Sequence, residues 1–148
     1  MISISKFKRK DMWSGDHIDC IYLSFQDRCR RRILMKTKKG YEFLLNLEKS
    51  SMLKDGDALI DPNGNYIKII ASKEELMRVT CDSKKQLAIL SWHIGNRHLN
   101  AEIRDNSIFL YRDSVISEML KGLNAKVENV LDKFHPLEGA YSHKNHNH

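Results

Sequence analysis

The chain has 148 residues, of which 41% are hydrophobic and 30% are charged, and its formal net charge is +6. This length suits one or two small domains, and no segment approaches the roughly 18 apolar residues that a membrane-spanning helix needs. The first ten residues lack the long apolar stretch of a secretory signal peptide. We therefore expect a cytoplasmic protein with no membrane partner.

The three cysteines, Cys20, Cys29 and Cys81, are widely spaced and form no Cys-x-x-Cys pair. Zinc knuckles and thioredoxin-type redox sites are built on such pairs. Isolated thiols in a reducing compartment stay reduced and idle. We therefore predict that none of the three cysteines is a metal ligand.

Positive charge is concentrated in two short runs, at residues 6–10 and 28–32. Such runs either bind phosphate groups or lie at solvated strand ends, and the second case is the commoner one. A basic RNA-binding module with an incidental histidine-rich tail is therefore an alternative interpretation of this chain. It requires exposed aromatic side chains on a sheet face, and only 8% of the residues are aromatic.

The first half of the chain has the pattern of a small all-β unit. Turn signals containing glycine occur at residues 38–40, 54–57 and 61–65, and the first of these suits a hairpin. The segments between the turn signals are short and rich in apolar or β-branched residues. The predicted strands are residues 17–25, 32–37, 42–47, 58–60 and 66–71.

The second half begins with a predicted strand at residues 76–81, followed by a helix. Ser83 and Gln86 form a capping-box pattern, in which each side chain bonds to the backbone amide of the other residue. Leu87, Leu90, Ile94 and His98 follow at spacings of three and four, which places them on one helical face.

Two further strands are predicted at residues 100–104 and 107–111, then a helix starting near Asp113 or Ser114, then a strand at residues 126–131. The order strand, helix, strand, strand, helix, strand is that of a ferredoxin-like (βαββαβ) domain. We therefore predict an α+β protein in which a small N-terminal β domain, residues 1–72, precedes a ferredoxin-like domain, residues 76–141. Residues 142–148 are predicted to be a short, flexible, histidine-containing tail.

The tail carries His143, His146 and His148, three of the seven histidines in the chain. Neutral imidazole binds nickel, zinc and copper, and short histidine-rich tracts are typical of metal-binding segments. The alternatives are an affinity-tag remnant or an incidental polar tail. Asn and Lys interrupt the histidines, which is unlike a simple tag.

His93 and His98 belong to the predicted helix of the second half. They are five residues apart, so they point about 140° away from each other at 100° per residue. They therefore do not easily bind one ion from within a single chain. A lone histidine on an apolar face is usually a core or interface residue, and the residue pattern alone leaves His98 with that interpretation.

Several segments resemble the UreE family of urease accessory proteins, and their order along the chain is the same. Trp-His-Ile-Gly-Asn-Arg-His at residues 92–98 resembles the family's Tyr-His-Leu-Gly-Asn-Arg-His, and Phe-His-Pro-Leu-Glu-Gly-Ala-Tyr at residues 134–141 resembles its Phe-Glu-Pro-Glu-x-Gly-Ala-Tyr. Arg-Val-Thr-Cys-Asp at residues 78–82 and a histidine-bearing tail are similar as well. The resemblance is most specific from about residue 76 onward.

The resemblance implies a homodimeric metallochaperone that delivers Ni(II) to the urease apoprotein together with other urease accessory proteins. Its N-terminal domain would bind a peptide or protein. His98 would meet its symmetry mate at the dimer interface and hold one nickel ion, and His143, His146 and His148 would complete the coordination. Zn(II) or Cu(II) would also bind in vitro.

The chain departs from the family pattern at two places. Residues 111–114, just before the second helix, lack the extra histidines that some members carry there, so fewer ions per dimer are expected. His135 stands where the family commonly has Glu, and whether it contacts metal is open. No phosphate-binding loop, His-Glu-x-x-His or Gly-x-Ser-x-Gly motif occurs, and we predict that the protein is not an enzyme.

Overall fold

The computed structural model describes residues 1–138. The chain forms two compact units, Met1–Ser72 and a second that begins at Lys73. The first unit consists mainly of strands, and the second combines four strands with two helices. This confirms the predicted α+β class with an N-terminal β domain. Among the described residues, no helix is both long and apolar enough to cross a membrane.

The first unit contains two small sheets. Their strands are β1 (Ser3–Ile4), β2 (Lys6–Lys8), β3 (Asp19–Leu23), β4 (Arg32–Lys36), β5 (Glu42–Asn46), β6 (Ala58–Ile60) and β7 (Tyr66–Ala71), with a 3-10 turn at Lys10–Met12 and a one-turn helix, α1 (Phe25–Arg28). One sheet has the order β1-β5-β4 and the other β2-β6-β7-β3. Side chains from both sheets, among them Ile4, Phe43, Leu45 and Ile67, form one buried core.

The predicted hairpin is confirmed: β4 and β5 are antiparallel, and the Thr37 amide donates to the Tyr41 carbonyl at 2.9 Å. Gly40 closes this turn at a φ of +94°, a value that favours glycine. Residues 6–8 of the first basic run form β2, in which Lys6 and Lys8 are exposed and Phe7 is half-buried, as expected of a solvated strand. Arg9 of the same run instead pairs with the buried Asp57 carboxylate at 2.8 Å.

The second basic run differs from the prediction at one position. Arg28 is almost fully buried, with 1% of its surface exposed. It ends α1, and its guanidinium lies 6.0 Å from the centre of the Phe25 ring. The strands β1 and β2 were not predicted, because two or three residues are too few to show an alternating pattern and, unlike residues 58–60, they are not bracketed by turn signals.

The second unit confirms the predicted βαββαβ order. Its elements are β8 (Lys73–Thr80), α2 (Lys84–Asn96), β9 (Glu102–Arg104), β10 (Ser107–Tyr111), α3 (Ser114–Gly122) and β11 (Lys126–Lys133). The sheet has the order β11-β8-β10-β9, and all neighbouring strands are antiparallel. The apolar faces of both helices pack on one side of this sheet, where Met77, Val79, Leu90, Ile94 and Leu120 are buried.

The helix starts were well predicted, with one correction. The Ser83 hydroxyl accepts from the Gln86 amide at 3.1 Å, as the capping pattern implies. The return bond from the Gln86 side chain to Ser83 was wrong, because that side chain donates to the Leu123 carbonyl at the end of α3. Asp113 caps α3 by accepting from the amides of Val115 and Ile116.

Candidate metal centre

The candidate ligand His98 lies just beyond the end of α2. The helix ends at Asn96, Arg97 is its C-cap, and the His98 amide donates to the Gly95 carbonyl at 3.0 Å. The backbone of His98 has a φ of +56°, in the left-handed region. This conformation ends helices because it turns the chain out of the helical path. The residue is exposed, so its imidazole is accessible to solvent and to a metal ion.

Two predictions about His98 were wrong for the same reason. It does not extend the apolar stripe of α2, which ends at Ile94, because the helix stops before reaching it. The angle of 140° between His93 and His98 assumed one continuous helix and therefore does not apply. His93 is half-buried in α2, and its ring makes an edge contact with Trp92 at 5.0 Å between ring centres.

The backbone conformation of His98 reduces stability. A side chain in the left-handed region costs about 1–2 kcal/mol, and glycine is the usual residue at this position of a helix terminus. Histidine at such a position is consistent with selection for a function of its imidazole.

We expect His98→Gly to raise the free energy of unfolding by about 0.5–1 kcal/mol, since removal of the left-handed penalty is partly offset by the greater chain entropy of glycine in the unfolded state. Urea unfolding followed by circular dichroism measures the change. His98→Ala serves as the comparison, because alanine keeps the penalty. A glycine variant no more stable than the alanine variant would contradict this account of the turn.

The described chain ends close to this turn. The Leu137 amide donates to the Ala101 carbonyl at 2.8 Å, and Ala101 is three residues after His98. Leu137 also lines a cavity of about 180 Å³ at the end of α2, together with Ser91, Ile94, Gly95, Leu99, Ala101, Ile103 and Ile108. The predicted tail ligands His143, His146 and His148 lie outside the described residues.

Other potential ligands are dispersed. Within residues 1–138, no group of three or more His, Cys, Asp or Glu side chains is placed to hold a metal ion. Cys20 and Cys81 are half-buried and Cys29 is exposed, and their exclusion as ligands stays a prediction. His135 is exposed, and its backbone amide donates to Glu102 at 2.8 Å.

The sheet face of the second unit that faces away from the helices carries ion pairs. Arg78 on β8 pairs with Glu128 on β11, and Arg104 pairs with both Glu102 and Asp132. Phe109 on β10 is 6% exposed and lies under the Arg104 guanidinium, 4.1 Å from its ring centre. The aromatic ring at the centre of this sheet face is therefore covered, whereas an RNA-binding sheet needs an exposed ring there.

These features define a two-domain α+β protein whose ferredoxin-like unit presents one exposed histidine at a helix end. Comparison with known proteins identifies its family. Residues 4–72 match the family profile described as "UreE urease accessory protein, N-terminal domain", and residues 74–148 match the one described as "UreE urease accessory protein, C-terminal domain". The chain belongs to the UreE family of urease accessory proteins.

Individual relatives agree with this assignment over most of the chain. "Urease accessory protein UreE" of Bradyrhizobium sp. (strain ORS 278) is 38% identical over 148 residues, which cover 100% of this chain and 70% of that protein. The protein of the same name from Beijerinckia indica subsp. indica is 36% identical over 100% of this chain and 86% of its own length. That of Chelativorans sp. (strain BNC1) is 42% identical over 88% and 84%, respectively.

Proposed function

We propose that this protein is a cytoplasmic Ni(II) metallochaperone for urease maturation, with the metal held between two His98 side chains of a homodimer. The observation that carries the proposal is the position of His98: its imidazole is exposed on a turn that ends α2, in a backbone conformation that is unfavourable for stability. Membership of the UreE family supplies the biological context.

The proposed homodimer is supported by exposed apolar side chains on the same helix. Ile89 and Trp92 are one turn apart on α2, and they are 37% and 64% exposed. Covering them with a second copy removes apolar surface from water, which favours association. A twofold axis beside the end of α2 would bring two His98 residues together, because each residue at such an axis faces its own copy.

The two His98 imidazoles of the proposed site fill only part of the nickel coordination shell. Two imidazoles leave most nickel coordination positions to water or to other ligands, which suits a carrier that must release its metal. Tethered histidines raise affinity through their high effective concentration and still dissociate one at a time. We propose that His143, His146 and His148 supply these additional nitrogens.

The length of the chain is sufficient for this role. Six residue steps separate Leu137 from His143, and a fully extended chain covers about 20–22 Å over that distance. Leu137 is hydrogen-bonded to Ala101, and the three steps from Ala101 to His98 span at most about 11 Å. The terminal imidazoles can therefore reach the proposed site.

The first unit, Met1–Ser72, is proposed to bind a peptide or protein partner, and the urease apoprotein and other urease accessory proteins are the proposed partners of the whole chain. The direct test of the nickel function is isothermal titration combined with sedimentation. We expect one tight nickel site per two chains and a dimer in the absence of metal. A monomer that binds nickel as tightly as the dimer would contradict the shared site.

We expect nickel affinity to fall at least about a hundredfold between pH 7.5 and pH 5.5. Imidazole binds metal only when it is neutral, and its ordinary pKa is about 6.5. At pH 5.5 only about one-tenth of such imidazoles are neutral, so each one in the site lowers the affinity about tenfold and two lower it about a hundredfold. Titrations at a series of pH values measure the change. Equal affinity across this range would indicate carboxylate ligands, which remain ionised throughout it.

A further inference from the structure

From Lys133, the last residue of β11, the chain continues beside β9. The Lys133 carbonyl accepts from Arg104 at 2.6 Å, the His135 amide donates to the Glu102 carboxylate at 2.8 Å, and the Leu137 amide donates to the Ala101 carbonyl at 2.8 Å. Residues 133, 135 and 137 thus contact residues 104, 102 and 101 in that order, so the two segments are antiparallel. The chain is therefore directed from the end of β9 towards its beginning, and His98 precedes that beginning.

Arg104 is the centre of this arrangement. Its guanidinium donates to Glu102 at 2.6 and 3.1 Å and to Asp132 at 2.6 Å, in addition to the Lys133 carbonyl. The hydrogen bond to Glu102 raises the pKa of Arg104, and the hydrogen bond from Arg104 lowers the pKa of Asp132. Planar guanidinium groups are suited to such forked contacts, and lysine does not replace them.

A buried aromatic residue holds the same segment in place. Phe134 is fully buried, and its ring contacts that of Tyr111 with 4.8 Å between the ring centres. The segment is therefore fixed by apolar packing at Phe134 and by charged hydrogen bonds on both sides of it. None of these contacts is needed to complete the βαββαβ order, which ends with β11.

We propose that Arg104 and Glu102 are positioning residues that direct the C-terminal segment towards His98. This inference rests on the proposed nickel function, because its consequence is a higher effective concentration of the terminal imidazoles at the His98 site. Neither residue is proposed to contact the metal. Arg104 and Glu102 act through the backbone of residues 133–137.

The Arg78–Glu128 ion pair provides a matched control. It lies on the same face of the sheet and joins β8 to β11. Arg78→Met and Arg104→Met each remove one guanidinium from this face and leave a side chain of similar length. Of these two arginines, Arg104 donates to the Lys133 carbonyl, whereas Arg78 donates to the Glu128 side chain.

The first test is a nickel titration of both variants, with and without residues 142–148. We expect Arg104→Met to weaken nickel binding roughly tenfold in the full chain, as loss of a residue that orients ligands typically does. In the chain that lacks residues 142–148, Arg104→Met should leave the nickel affinity unchanged. Arg78→Met should leave it unchanged both in the full chain and in the shortened one. Full affinity in Arg104→Met, or equal weakening with and without the tail, would overturn the proposal.

The second test needs no nickel. A nitroxide is attached to His148→Cys in a chain whose three native cysteines are serine, and broadening of the amide signals of residues 97–101 is measured. We expect broadening in the parent and in Arg78→Met and its loss in Arg104→Met. Equal broadening in Arg104→Met, or none in the parent, would overturn the proposal.

The two tests separate the inference from the function on which it rests. Nickel binding that is unaffected by tail removal would contradict the proposed tail ligands, while the nitroxide measurement would still decide whether Arg104 directs the chain. If Arg104→Met does not fold, Glu102→Gln replaces it, because glutamine retains an oxygen for the His135 amide but loses the charge that binds Arg104. Thermal unfolding identifies which variants are folded.

Discussion

Replacing His98 with alanine is expected to abolish tight nickel binding and to leave the dimer folded. In the proposed site, the substitution removes two nitrogen ligands from each dimer, one per chain. Loss of residues that merely orient ligands lowers metal affinity by roughly 10–100-fold, so direct loss of both central ligands should exceed a hundredfold. Because His98 is exposed and lies outside the core, no cavity forms. Isothermal titration with nickel measures the affinity, and sedimentation measures the dimer.

His98→Gly is the stringent control for this experiment. It removes the same imidazole but is expected to stabilise the turn, so a loss of nickel binding in both variants is not attributable to unfolding. His93→Ala, on the preceding turn of α2, tests whether any histidine of this region suffices. Tight binding retained in both His98 variants would remove His98 from the site.

Deleting residues 142–148 is expected to weaken nickel binding and to lower the number of bound ions, without abolishing the His98 site. In the proposed site, the two His98 imidazoles would remain, and water would replace the tethered nitrogens of His143, His146 and His148. Tethered ligands can raise affinity by a factor of 10²–10⁴ when the geometry allows both sets to bind. Titration of the truncated and full chains gives both affinity and stoichiometry.

A variant of unchanged length distinguishes the effect of losing the tail imidazoles from the effect of shortening the chain. Replacing the three tail histidines with asparagine keeps the tail polar and removes every imidazole from it. This variant should bind nickel as the truncated chain does. If both bind with the affinity and stoichiometry of the full chain, the tail is not part of the site, and the three histidines should be removed from it.

Local patterns in the sequence were sufficient to predict most of the fold. Strands such as β5 and β7 alternate between core and surface, and the starts of α2 and α3 carry polar caps at Ser83 and Asp113. The end of α2 was harder to predict, because Gly95 weakens the last helical turn but does not determine which of the following residues ends the helix. The left-handed backbone conformation of His98 has no local sequence signal. It turns the chain away from α2 on the way to β9.

The candidate site was only partly predictable. The proposed ligand role of His98 came from the resemblance of residues 92–98 to a family segment, while its periodicity suggested a buried helical position that the structure does not show. The arrangement around Arg104 had no local signal. Its partners are Glu102, two positions away on β9, and Asp132, 28 positions away, and they meet only through the register of the four-stranded sheet.

Anomalous scattering at the nickel edge from soaked crystals tests most directly whether nickel lies between two His98 side chains. We expect one strong peak on a molecular twofold axis, within bonding distance of an imidazole nitrogen of His98 from each chain. A strong peak bound only by side chains of a single chain, or a peak remote from His98, would contradict this arrangement.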